Sequence, residues 1–515
     1  MFRLLWWTML VVAIPVQIAA AANCDAAGGT LYEVGPGQAY AELGEVPFES
    51  LGAGDTVRVH WRAQPYRSKI LLRRSGTAAA PITLCGLRGP GDERPVIDGE
   101  NATTRASMGY VGTGTQARGL IHVAWGSGDA WGYKPEYVVI QGLAIRNAFH
   151  EHGFTRSDGA QISYSANAAG VFVERGEHVT VRDFEISGNG NGFYVASGDT
   201  EEMLSRAILI ERSELFGNGT VTTGFDRNHN LYTEAAGMTI QFNRFGPLRE
   251  GSGGIAIKDR SAGTVVRWNW IEGGARSLDL VEAEDSWPIM HLEPDYHRAF
   301  VYGNILISNP GDAAAFVHYG GDNGDYDTYR KGTLHFFHNT LVMRSNQSGA
   351  NGRWRSVVFD IPTNDEQVDA RNNVVFVRAA TSGADPTQLQ WMIQYGQLDL
   401  GVNWASPTMV AWRDGITPQG TITGLGNVLS NPANDPGFAD EAAGDFVPTA
   451  SADLVDAGQA LAPEVIAAGH AVNLQYRAPA DSEPRPDDGA PDLGAFEYGE
   501  PDPDRILADG FEGAG

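Results

Sequence analysis

The feature that most constrains this chain is a run of short alternating segments between His229 and Ala283. Three of them, HNLYTEA (229–235), GIAIKDR (254–260) and SLDLVEA (277–283), recur at about 20–25 residues, the spacing of a solenoid repeat. Between them lie MTIQFNRF (238–245) and TVVRWNWI (264–271), which alternate in the same way. An apolar–polar period of two is that of a half-buried strand, and no helical period interrupts it. The combination predicts an all-β chain wound as a right-handed parallel β-helix, with the polar positions of its rungs aligned on the outer face.

A solenoid of this kind absorbs all 515 residues as one body. The 64 glycines suit many short strands joined by tight turns, and they argue against long helices. A formal charge of -26 disfavours nucleic acid and anionic membrane as partners. An acidic polysaccharide is still compatible, because a local basic cleft or a bridging divalent cation reverses the field at a site.

Residues 1–22 carry Arg3, the apolar run LLWWTMLVVAIPV and a final AAAA, the pattern of a secretory signal peptide. Asn23 stands before Cys24 where a lipid-attachment site would want a small residue, so the expectation is a soluble, monomeric protein exported to the periplasm or beyond. Two cysteines, Cys24 and Cys85, make one disulfide in an oxidising compartment.

Further along, QAYAELGEVPFESL (38–51) has helix-like spacing and is expected to cap the open end of the first coil. The cap and first coils take 23–130, and the body of the helix 131–440. Two strand types alternate through that body. One runs AGVFVER, NGFYVAS, HNLYTEA, GIAIKDR, SLDLVEA, AAFVHYG and SVVFDIP. The other, from HVTVRDFEI to QVDARNNVVF, carries Asn243, Asn269, Asn304, Asn339 and Asn373 at one recurring point. Asparagines stacked at a turn can satisfy buried backbone groups along the axis, so these are read as structural. Insertions at 318–333 and 381–424 are polar and aromatic, as loops walling a cleft would be. Residues 441–497 are expected to close the stack, and 498–515 form an acidic tail rich in Pro and Gly.

The strand–turn–Asn periodicity, with rungs such as HNLY and GIAIKD, resembles the pectate-lyase-like superfamily of secreted β-helix proteins over roughly residues 30–440. That fold hosts lyases, hydrolases, epimerases and adhesins, so the site must carry the function. By alternation Ala256, Lys258 and Arg260 point outward on one rung and Asp279 on the next. Asn230, Tyr232 and Glu234 point outward on the rung before, and Phe316, His318 and Asp360 on later ones. The outer column then reads Glu174, Tyr194, Tyr232, Lys258, Asp279, His318, Asp360, flanked by Glu234, Arg260 and Glu282.

A uronate lyase needs its substrate carboxylate neutralised, a base for the C5 proton and an acid for the departing oxygen. Lys258 through Asn269 resembles the catalytic rung of chondroitinase B- and alginate-lyase-type lyases, which implies Lys258 as base. Those enzymes carry an arginine on the next rung, where this chain has Asp279; Arg260 and Arg276 are the available substitutes. Tyr232 or His229 would be the acid, and Glu234, His318, Asp360, Tyr194 and Trp287 would contact the sugar, with Trp268, Trp270 and Trp354 nearby. The alternatives are a glycoside hydrolase using Asp259, Asp279 and Glu282, and a glycan-binding β-helix without activity. Glu282, Glu284 and Asp285 could also hold Ca²⁺, although no motif fixes a cofactor. His150 and His152 lack a third ligand and read as loop residues.

Overall fold

The computed structural model describes residues 24–221, 228–309, 312, 315–344, 357–378 and 389–499; the expected signal peptide, Trp354 and 500–515 lie outside them. Three long parallel sheets of 13, 11 and 11 strands dominate, and each coil sends one strand to each. One coil runs Leu231–Thr233, Ala236–Gln241 and Arg244–Phe245, and the next Ile257–Asp259, Thr264–Arg267 and Trp270–Glu272. Each strand pairs in parallel with its counterpart one coil later, an advance of about 4.8 Å. The fold is the parallel β-helix that the alternation demands.

Each coil has three strands rather than two, because every second-type segment bends at its centre. The bend needs a single left-handed residue, such as Phe242 (φ 58) or Trp268 (φ 52), followed by the asparagine. The asparagines stack as expected. The Oδ1 of Asn269 accepts the backbone N–H of Asn243 at 2.9 Å, and Asn304, Asn339, Asn373 and Asn403 repeat the bond rung after rung. Their Nδ2 groups also donate to buried carbonyls, so the ladder satisfies backbone that the bend frees.

Inside, apolar side chains stack in register. One column runs Val181, Ile210, Ile240, Val266, Val301, Phe336, Ala370 and Leu400. Fully burying a side chain of this size contributes about 1.5–3 kcal/mol, which is why so short a strand is stable only within the stack. The expected N-terminal cap is present, but as two 3₁₀ turns, Leu43–Glu45 and Phe48–Ser50, which seat Leu43, Val46, Phe48 and Leu51 in the core. Gly44 and Pro47 explain why no α-helix forms there.

Cys24 and Cys85 form the expected disulfide, with a Cα separation of 5.7 Å. Residues 441–497, read from the sequence as closing the stack, lie along its flank together with the short strand before them. They form two hairpins, Phe438–Asp440 with Asp445–Pro448 and Leu474–Arg477 with Asp481–Pro484. Phe446, Tyr476 and Phe496 cover Trp270, Ile305, Ile307 and Val342 of the helix. No helix among the described residues is long and apolar enough to cross a membrane.

Candidate active site

The rungs of one 11-stranded sheet place Tyr194, Tyr232, Lys258, Asp279, His318 and Asp360 in successive register. Glu174 is not in this column. Phe172 holds its place, while Glu174 pairs with Ala196 two residues on. Ala256, Asn230 and Phe316, expected outside, are buried in the interior. The reason is the corner at each rung entry, where successive residues such as Ala256 and Ile257 are both fully buried and simple alternation fails.

Lys258 and Arg260 stand together on the rung Ile257–Asp259 and just beyond it. Lys258 Nζ donates to Asp279 Oδ2 at 2.7 Å and to Asp322 Oδ2 at 2.6 Å. The Arg260 guanidinium donates through Nη2 to Asp322 Oδ1 at 3.0 Å, through Nε to the Tyr232 hydroxyl at 2.9 Å and through Nη1 to the Glu282 carbonyl at 2.8 Å. One carboxylate, that of Asp322, is thus gripped by a lysine and an arginine at once. Burial opposes its charge, but the two cations outweigh it and hold the Asp322 carboxyl below its ordinary value. Asp322 was not singled out from the sequence; the signal was the insertion GGDNGDYD that breaks the rung rhythm.

Asp279 is wholly buried and serves a lysine, an arginine and a histidine. Oδ2 takes Lys258, and Oδ1 takes Arg276 at 2.9 Å and His318 Nδ1 at 2.6 Å. Burial would raise its pKa, yet Lys258, His318 and Arg276 keep it well below the carboxylate range. With His318 Nδ1 turned to Asp279, the other ring nitrogen, Nε2, makes no hydrogen bond to the described residues. Arg276 reaches on to Asp360 at 3.2 Å.

Other candidates have different work. His229 accepts the N–H of Ile255 at Nδ1, 3.0 Å away, and burial, together with Lys258, drives its pKa down to about 3. It is a neutral ring whose Nε2 carries the hydrogen, so it is a poor proton source. Burial, partly offset by Arg260, raises the Tyr232 hydroxyl pKa well above its ordinary value, which keeps it protonated; it donates to Glu284 at 3.2 Å. Tyr194 is sandwiched face to face between Phe172 and Tyr232, with centroids 5.0 and 4.7 Å away, so neither face is open to a sugar ring. Glu234 accepts from Ser286 N, Ser286 Oγ and Glu284 N, which makes it the anchor of that loop. Trp287 stacks on His291 and packs with Leu204, Met290 and Tyr296, while Trp268 and Trp270 lie under the C-terminal segment and do not border the column.

Asp259 turns inward, as alternation with Lys258 requires, and bonds Thr233, Thr264 and the fully buried Arg330. It cannot meet a substrate. Glu282, Glu284 and Asp285 do not converge on one ion position. Glu282 receives the N–H groups of Asp322 and Asn323 at 3.0 and 2.7 Å, and Glu284 faces Tyr232 and Arg260. His152 bonds the Asn147 carbonyl, and Phe149 packs against both loop histidines.

No family model matches the sequence, and no curated protein matches it. Among solved structures the chain is similar to pectate lyase Pel9A at 12% identity and a TM-score of 0.45, covering 93% of this chain and 100% of that one. It is also similar to an alginate lyase from Paenibacillus sp. str. FPU-7 at 15% identity and a TM-score of 0.39, covering 72% and 94%. A DFA-IIIase from Arthrobacter chlorophenolicus A6 shares 14% identity at a TM-score of 0.39, covering 78% and 92%. The assignment of the fold stands on the strand pairing itself.

Proposed function

We propose that the protein is an exported enzyme that cleaves a uronate-containing polysaccharide by β-elimination. The observation that carries this is the Asp322 carboxylate held between Lys258 Nζ and Arg260 Nη2. A pair of donors that grips one carboxylate is built to grip another, and a uronate brings its own at the carbon next to the proton to be removed. Neutralising that carboxylate stabilises the negative charge that develops as C5 loses its proton.

In this reading Lys258, held between the Asp279 and Asp322 carboxylates, binds the substrate's charge and is not the base. The base is His318 Nε2, held in its tautomer by Asp279 in the way a buried carboxylate orients an imidazole in a catalytic triad. Tyr232, kept protonated and braced by Arg260, supplies the proton for the departing oxygen. The hydrolase alternative lacks support, since Asp259 is inside and Asp279 is saturated by cations.

Absorbance of the unsaturated product on a panel of uronate polymers tests the proposal. His318→Ala should lower kcat about 10²–10⁴-fold with little change in KM, the range for a lost general base. Lys258→Ala should chiefly raise KM. Reducing ends without ultraviolet absorbance would mean hydrolysis and sink the proposal. A silent His318→Ala beside a dead Lys258→Ala would return the base to the lysine.

A further inference from the structure

On the outer face of the 13-stranded sheet a groove of about 480 Å³ is lined by His335, Asp369, Arg371 and Glu464, among others. His335 and Asp369 are register partners on adjacent strands, Gly332–Phe337 and Glu366–Arg371. Glu464 comes from the flanking C-terminal segment, in the short helix Pro463–Ala467.

His335 is only 4% exposed, its ring stacked on Phe300 at 5.1 Å. Its Nδ1 is shielded from solvent and makes no hydrogen bond, although Asp369 Oδ2 is 3.5 Å away. At 3.5 Å that contact is long for a hydrogen bond, so this buried nitrogen is poorly satisfied, and the arrangement suits a closer partner. Asp369 is half committed: Oδ1 takes the Arg371 Nε and Nη2 at 2.8 and 2.6 Å, which leaves Oδ2 turned to the imidazole. The Glu464 carboxylate is exposed and makes no hydrogen bond or ion pair to the described residues. One ligand atom from each of the three lies within 4.8 Å of the others.

We propose that His335 Nδ1, Asp369 Oδ2 and the Glu464 carboxylate bind a transition-metal dication of the Zn²⁺ type. Tetrahedral ligands at about 2.0–2.2 Å from an ion sit roughly 3.3–3.5 Å apart. The His335–Asp369 separation already matches, and an exposed glutamate closes the remaining gap by a small rotation. One imidazole with two carboxylates suits such an ion better than Ca²⁺, which takes six to eight oxygens. The Arg371 fork plays the part that outer hydrogen bonds play for ligating carboxylates. Bound there, the ion ties the C-terminal segment to the sheet it covers.

The test is calorimetric titration of ZnCl₂ into the chelator-stripped full chain, alongside Glu464→Gln, His335→Ala and His318→Ala. Glu464 is exposed, so its substitution leaves the fold intact and separates lost binding from lost folding. The expected result is one Zn²⁺ per chain for wild type and His318→Ala, with affinity at least tenfold weaker in Glu464→Gln. Saturating Zn²⁺ should raise the Tm of wild type and not of Glu464→Gln. No Zn²⁺ uptake, unchanged uptake in Glu464→Gln, or uptake lost only in His318→Ala would overturn the proposal.

Discussion

His122 lies in the same outward column as the candidate site, followed by Phe172, Tyr194 and Tyr232. It is packed between Tyr110 and Phe172, and Nε2 bonds the Gly119 carbonyl at 3.1 Å. Burial, with the positive charge of Lys69 next, lowers its pKa to about 3 from an ordinary 6.5. The unfolded chain therefore takes up this proton more readily than the folded one. The stability that His122 contributes is complete above pH 6.5 and is lost as pH falls toward 3, at no more than about 1.4 kcal/mol per unit. His122→Phe keeps the stacking and removes the titration. Its stability should fall less steeply than wild type between pH 6.5 and 4, measured by urea unfolding at a series of pH values. Equal slopes would mean that the ring is already protonated in the folded protein. Much of the residue scale was legible in advance: alternation alone put Lys258, Asp279 and His318 on one outer column. It missed Asp322 because nothing local in a loop names the rung it will cover. It missed the inward partner of Asp259 because Arg330 arrives from 71 residues away.

At the scale of elements, the strand-to-strand bend hid itself because it is so short. In QFNRF only Phe242 has a positive φ, and the alternation before and after it reads on as one strand. The asparagine ladder marked the place but not the change of direction. It did align His335 with Asp369, each four residues before its ladder asparagine, although Glu464 could not be found that way. The loop after Tyr319 was legible as a cleft wall, and its consequence is a prediction. Glu282 fixes the loop through the N–H groups of Asp322 and Asn323, and that anchoring delivers the Asp322 carboxylate onto Lys258 and Arg260. In the proposed reaction a uronate must displace it. Asp322→Ala should lower KM for the polymer by about tenfold, equivalent to roughly 1.4 kcal/mol, with kcat little changed. A higher KM would show that Asp322 assists binding and does not compete with it.

The whole molecule is held by two bodies of contact, the stack itself and the segment along its flank. That segment reaches from Arg212, paired with Asp481 at 3.1 Å, to Trp404, packed with Leu454 and Leu493. Its last residues fold back on Arg485, which is 4% exposed, donates to the Gly494, Asp492 and Phe496 carbonyls and pairs with Glu497 at 2.6 Å. Burial pushes the Glu497 carboxyl up to about 7, and Arg485 is the main force opposing that rise. Arg485→Ala leaves a buried carboxylate without its cation, a change that costs about 3–5 kcal/mol when the charge stays. Glu497 can escape part of that cost by keeping its proton. Its folded pKa is above the unfolded 4.5, so its protonated form favours folding at low pH, and that advantage is lost as pH rises through about 7. Without Arg485 the window extends further upward. Arg485→Ala should therefore lose more Tm at pH 8 than at pH 5, and adding Glu497→Leu should restore part of the loss at pH 8. Limited proteolysis should cut the variant first within 438–496, exposing the apolar stripe of Trp270, Ile307 and Phe376 and promoting association of the cleaved protein. Equal losses of Tm at both pH values would mean that Glu497 is not the buried charge this segment is built around.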